Sequence, residues 1–237
     1  MTPDYHAAVT AAALFDRSAA GKVVASGPDA PMFLGNLSTN DIKPLPLGGG
    51  CEAYFCDPRV YHVRLGGDHA MWVETTPGRG ADLLKYLDRY LISEQVELAD
   101  RTAEYAQFHV AGPAANGVLG AATAAAVPDL PEFAHLDRAV AGVVVSVRRR
   151  DPLGVPGFDV VCPAGSAAAV RAALAAAGAV PGTADTYEVL RVEAGTPEFG
   201  PDIDANRFVM EVGNAARAVS YAKGCFLGQE PIVMARD

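Results

Sequence analysis

Apolar positions switch repeatedly between a helical and a strand period along this chain. Across residues 78–91, Leu83, Leu84, Leu87 and Leu91 share one face while Asp82, Lys85, Asp88 and Arg89 share the other, which predicts an amphipathic helix. Further helices are expected over the Ala-rich residues 7–16, after Pro28 and Asp29 through Leu37, over 114–125, and from a Ser166 cap to a stop at Gly178. β-Branched and aromatic runs predict strands at 22–26, 52–56, 60–65, 70–74, 96–100, 105–111 and 140–148, with 157–162 as the hairpin partner of the last. Residues 187–193 fit either a strand or a helix, 44–50 read as a loop, and the C-terminal stretch is irregular and punctuated by glycine. Many strands lie too close in sequence for a crossover helix. The pattern therefore favours an α+β fold with antiparallel sheet over a doubly wound parallel one.

The chain has 237 residues, half of them hydrophobic, which is somewhat more than one domain of roughly 150 residues and enough for a sizeable core. Nineteen basic side chains against 28 acidic ones leave a net charge of -9, which argues against a protein that coats nucleic acid through a basic face. A small anion held by a few local Lys or Arg stays open. No apolar run is long enough to span a membrane, and the N-terminal residues lack the pattern of a secretory signal. With four cysteines in a chain of this length, a disulfide scaffold is not expected, and a reducing, cytoplasmic location is. Cys51 and Cys56 are spaced unlike a zinc half-site, and the five histidines form no ligand set, so no metal is expected.

The densest chemistry lies in Lys223-Gly-Cys-Phe-Leu-Gly-Gln-Glu230. Lys223 sets a cation two residues from the Cys225 thiol, with Arg217 a little upstream. Gly224 and Gly228 let the backbone bend around it, and a nearby ammonium favours the reactive thiolate. Gln229 and Glu230 add an amide and a carboxylate. The plainer reading is a Gly-rich loop with an inward-packed cysteine. Arg148-Arg149-Arg150 reads as a solvated strand end, or else as a contact for the anionic tail of a small ligand or for RNA phosphate.

This motif resembles the signature of the YgfZ-type folate-binding proteins, relatives of the glycine-cleavage T-protein, or aminomethyltransferase. Phe33-Leu-Gly-Asn-Leu-Ser-Thr-Asn-Asp-Ile42 is similar to that family's "FL…L.TND" segment. Phe108-His-Val-Ala-Gly-Pro113, Gly157-Phe-Asp-Val-Val161 and Arg191-Val-Glu-Ala-Gly195 resemble its "GP.A", "G.(F/Y)(D/E)" and "R.E.G" segments in order. The resemblance implies a GcvT/YgfZ-like α+β fold of small subdomains, here 1–45 plus 185–237, 46–110 and 111–184, around a central opening that holds tetrahydrofolate or a folate derivative. It implies Cys225 and Lys223 as the functional pair, and Glu193, Arg191, Asn40, Asp41, Gln229 and Glu230 as folate contacts, with the Glu193 carboxylate matching the pterin edge. Implied partners are folate and iron–sulfur enzymes or their assembly proteins.

Two departures matter. Aminomethyltransferases carry paired acids in a "GG..DD" segment, whereas Gly48-Gly-Gly-Cys-Glu-Ala-Tyr-Phe-Cys-Asp-Pro-Arg59 lacks the pair, and Asp57-Pro58 reads as a turn. The sequence given ends at Asp237, where relatives continue into a small β-barrel. The first expectation is therefore an accessory protein for iron–sulfur cluster assembly or repair and, through it, tRNA-modifying enzymes. The alternatives are a folate-dependent aminomethyltransferase or related one-carbon transferase, and a binding module without chemistry. The absent acid pair argues against an authentic aminomethyltransferase.

Overall fold

The structure, a computed structural model, describes residues 2–56, 60–66, 70–204 and 206–236, with 60–66 as backbone. Its helices are α1 (Pro3–Thr10), α2 (Ala30–Leu37), α3 (Gly80–Asp88), α4 (Ala115–Thr123), α5 (Ala167–Ala176), α6 (Ala184–Glu193), α7 (Ala215–Ala218) and α8 (Gln229–Arg236). The strands are β1 (Ala13–Asp16), β2 (Gly21–Ser26), β3 (Gly50–Cys56), β4 (Val60–Gly66), β5 (Ala70–Thr75) and β6 (Glu97–Asp100). They continue with β7 (Tyr105–Ala111), β8 (His135–Val140), β9 (Val143–Arg149), β10 (Gly157–Pro163) and β11 (Val180–Pro181). They divide between two compact units, one of Met1–Ala19 and Thr102–Thr196, the other of Ala20–Arg101 and Pro197–Asp237.

In the first unit a six-stranded sheet runs β11-β1-β7-β10-β9-β8, antiparallel except where β1 meets β11. Both faces are covered. Leu14, Phe108, Val110 and Val160 bury with Val118 and Leu119 of α4 and Val170 and Leu174 of α5, while Ala13, Phe15 and Ala111 bury with Ala8, Tyr187 and Leu190 of α1 and α6. That explains why β10 is buried from Gly157 to Cys162 rather than alternating. The second unit is a five-stranded antiparallel sheet in the order β3-β4-β5-β2-β6. Phe33, Leu34, Leu83 and Leu87 of α2 and α3 cover Val23, Ala53, Phe55 and Val73, while Tyr54, one residue out of phase, packs with Phe199, Ile203, Val209 and Ile232. The antiparallel α+β expectation holds.

Several boundaries move. The helix expected over 7–16 is instead α1 followed by β1: Thr2 caps it by accepting from the Tyr5 N–H and Pro3 opens it, and the later apolar residues go to a strand buried on both faces. The strand expected over 140–148 is two strands, because Ala141 (φ 51°) and Gly142 (φ 77°) make a tight two-residue hairpin inside the apolar run. Ser166 precedes α5 but makes no capping hydrogen bond through its side chain. Residues 187–193 are helical, in α6, and part of the C-terminal stretch read as irregular forms α8. No helix among the described residues is long and apolar enough to cross a membrane.

Candidate functional site

The Lys-Gly-Cys segment is fixed in the second unit by its own lysine. Lys223 Nζ donates to three carbonyls, Gly35 O at 2.6 Å, Ser38 O at 2.5 Å and Asn40 O at 2.9 Å. Gly35 and Ser38 lie at the C-terminal end of α2, where carbonyls lack helical partners and the dipole is negative, so an ammonium suits that position. The ammonium also lies 4.9 Å from the centroid of the Phe226 ring. Burial lowers Lys223 from its ordinary value to about 8, Asp41 works the other way, and Lys43 adds to the lowering. At neutral pH it is a cation with its three donors committed to the backbone.

The rest of the motif is similarly anchored. Leu227 N–H donates to Asn36 O at 2.9 Å, and the Gln229 Oε1 accepts from the Phe226 N–H at 3.1 Å. Gly228 has φ +78°, and a Cβ there would stand 2.5 Å from Cys56 O and 2.7 Å from the Cys56 Cβ, so only glycine lets the loop lie against β3. Glu230 is exposed in the first turn of α8, where a carboxylate complements the helix dipole.

The segment after α2 stitches β3 to the C-terminal chain. Asn40 Nδ2 donates to Glu52 O at 2.8 Å and to Arg217 O at 2.9 Å, its Oδ1 accepts from Asp41 N–H, and Thr39 Oγ1 donates to Ala218 O while accepting from Tyr54 N–H. Arg217 pairs with the buried Glu52 at 3.4 Å. Between these anchors opens a cavity of about 430 Å³, lined by Gly35, Asp41, Lys43, Pro44, Lys223, Gly224 and Cys225. Asp41, Lys223 and Cys225 are thus brought together, whereas Asn40 is spent on the backbone. Lys43 and Pro44 are lining residues that the sequence reading missed. The available signal was the position of Lys43, two residues past Asp41.

Cys225 is exposed and faces this cavity. Cys51 and Cys56 are half-buried, and burial pushes both thiols up to about 12, although Lys223 works to lower the first of them. Cys162 is buried in β10 and is raised for the same reason. Among the described residues no group of three or more His, Cys, Asp or Glu is placed to hold a metal. Asp57 lies outside the described residues.

Glu193 and Arg191 belong to the first unit. Glu193 ends α6, exposed, and accepts from the Tyr5 hydroxyl at 2.8 Å. Arg191 is 3% exposed, pairs with Glu188 and donates to Thr196 O at 3.0 Å. The arginine run is not a solvated end: Arg150 is buried against Asp159 at 3.0 Å, and Arg149 pairs with Asp151 and donates to Gly157 O.

A family model described as the GCVT N-terminal domain matches residues 1–223. The chain belongs to that family. It is 29% identical to an aminomethyltransferase of Rubrobacter xylanophilus over 99% of its own length and 64% of the relative's. It is 30% identical to an aminomethyltransferase of Exiguobacterium sibiricum, covering 94% of this chain and 63% of that one. The chain thus spans a little under two thirds of these relatives. Among solved structures, the glycine cleavage system aminomethyltransferase T of Bartonella henselae superposes with a TM-score of 0.75 at 20% identity, over 84% of this chain and 55% of that one, a likeness of fold. The GcvT-like fold expected from the motifs is therefore present, and the relatives named here are aminomethyltransferases.

Proposed function

We propose that this GcvT-family chain binds tetrahydrofolate or a related reduced folate and serves folate-dependent transfer of an aminomethyl or other one-carbon group. The observation that carries the reading is family membership, with aminomethyltransferases similar to it over nearly its whole length. The cavity of the second unit suits such a ligand. Its volume falls within the roughly 300–1,000 Å³ of small-molecule sites. Asp41 offers acceptors for the amino and ring N–H edge of a pterin, and Lys43 offers a cation for a glutamate tail. Glu193 of the first unit is a separate candidate contact, an exposed carboxylate that accepts from the Tyr5 hydroxyl. A bound reduced folate supplies the ring nitrogens that carry the one-carbon unit, and the residues of the chain hold and orient it. The test is calorimetric titration with tetrahydrofolate, for wild type, Asp41→Asn and Glu193→Ala, beside a transfer assay with glycine-cleavage substrates. Absence of saturable binding would overturn the reading.

A second reading is supported by a specific observation. Cys225 is the exposed cysteine of the four, it faces the cavity, and it sits in the YgfZ-like segment. In that reading the chain is a folate-binding accessory protein for iron–sulfur enzymes and turns over no small substrate. Cys225→Ala separates the two: the transferase reading leaves one-carbon transfer intact, while the accessory reading loses rescue of an iron–sulfur enzyme with folate binding unchanged.

A further inference from the structure

The sheet of the first unit holds an ionisable cluster outside the proposed folate site. His109 on β7 is fully buried, and its Nδ1 lies 2.8 Å from Asp159 Oδ1 on β10. The other oxygen of Asp159 accepts from Arg150 at 3.0 Å, and both of these partners are almost fully buried. With Nδ1–H donating to a carboxylate, Nε2 carries the bare lone pair. Nε2 is buried and without a hydrogen-bond partner. It is turned to the backbone of Gly157, where a Cβ would stand 2.8 Å from both Nε2 and Cε1 of the ring.

The charged and titratable groups around the ring come from every element packed on it. Asp159 faces it from β10, Arg150 from the segment after β9, Arg17 from the segment after β1, and Tyr187 of α6 meets it edge-on at 6.0 Å, with Arg17 stacked 4.1 Å over the Tyr187 ring. Arg150 thus pairs with the carboxylate, and Arg17 adds a second guanidinium near the imidazole. A proton added at Nε2 would bring a third positive charge to a buried nitrogen that has no hydrogen-bond partner among the described residues.

We propose that the buried His109–Asp159–Arg150 cluster is an acid-sensitive latch that holds β7 and β10 closed against α6 and releases them when a proton is taken up at Nε2. The proton comes from solvent and forms the Nε2–H bond; no other covalent bond changes. Burial, partly opposed by Asp159, holds His109 below its ordinary range in the closed state, while the opened chain restores it to about 6.5. The folded value is the depressed one, so the latch is fully closed above about pH 6.5 and weakens as pH falls below it, by up to tenfold in the opening equilibrium per pH unit. Asp159 acts in a separate window: burial would raise it, but Arg150 and His109 outweigh that and hold it low, so its contribution is lost only below about pH 4.

The test is amide hydrogen exchange on the full chain from pH 7 to 4.5, with rates corrected for intrinsic pH dependence. Protection in β7 and β10 should fall by up to tenfold per pH unit below 6.5 in wild type. The fall should vanish in His109→Asn, whose amide N–H can still donate to Asp159. An undiminished slope in His109→Asn overturns the proposal. Should that variant not fold, imidazole NMR of the wild type decides: His109 must stay neutral for as long as the closed state persists. Titration near pH 6.5 with protection intact refutes the latch.

Discussion

Replacing Lys223 by Met keeps the length and packing of the stem and removes the ammonium that three carbonyls share. Each hydrogen bond to a charged donor contributes about 1.5–3 kcal/mol when desolvated, and a cation at a helix C-terminus up to about 2 kcal/mol in a partly buried setting. The three bonds share one charge and the side chain is only half-buried, so water recovers part of the loss and the terms do not add. Burial disfavours the ammonium itself, as its lowered value shows, so the cost of Lys223→Met is mainly that of three carbonyls left without a donor, about 2–4 kcal/mol overall. The single Trp of the chain, Trp72 on β5, lies in the same unit and serves as the fluorescence reporter. With a urea m-value of about 2 kcal/mol/M, the midpoint should drop by roughly 1–2 M. Lys223→Arg should not restore it, because a planar fork does not converge on three oxygens as an ammonium does. A loss below about 0.5 kcal/mol would mean that the carbonyls are satisfied without the lysine and that the clamp argument is wrong.

Gly228→Ala should cost about 2 kcal/mol or more, from positive φ and the collision with Cys56 O, and should free the motif loop, read as a lower urea midpoint together with faster alkylation of Cys225. Limited alkylation at pH 7.5 should label Cys225 before Cys51 and Cys56, whose thiols are pushed up to about 12, and mass mapping that finds Cys51 modified first would contradict the placement. If Glu193 holds the folate, Glu193→Ala should weaken tetrahydrofolate binding thirty- to a hundredfold, about 2–3 kcal/mol, and unchanged calorimetric affinity removes that residue from the site.

Local pattern made much of the fold legible. Tyr105–Ala111 has the same bounds as the run of residues that predicted it, because β-branched and aromatic residues between turn signals have few other uses. The failures have physical causes. Alanine is compatible with both helix and strand, so residues 7–16 carried no local sign that Ala13 and Phe15 would face α6 while Leu14 faced the opposite layer. The hairpin at Ala141-Gly142 was hidden because an alanine occupies a left-handed position normally held by Asn, Asp or Gly. The arginine run looked solvated because Asp159, the partner that buries Arg150, is met only after the strand has folded back on itself. The cavity could not be read in full from spacing, since it joins the turn after α2 to residues 223–225, far along the chain.

The Lys-Gly-Cys segment was legible as a motif, yet its residue types answer to different demands. Lys223 closes the end of α2, Phe226 packs with the cluster around Tyr54, Leu227 packs with the α2–α3 core, Gly228 allows contact with Cys56, and Gln229 holds the loop's own backbone. Folding thus accounts for five positions of the segment. Cys225 is different: it is exposed, it lies outside every buried apolar cluster, and it faces the cavity. A residue kept for packing should be costly to remove, and this one should not be. Cys225→Ala is therefore expected to keep the unfolding free energy of wild type, read from urea titration, to within about 0.5 kcal/mol, whereas Phe226→Ala, in the next position, should lose about 1–3 kcal/mol. If Cys225→Ala destabilises as much as Phe226→Ala, the thiol is part of the packing and the motif carries no chemistry. If the variant is stable but inactive in either functional assay, the loss must be assigned to the sulfur itself.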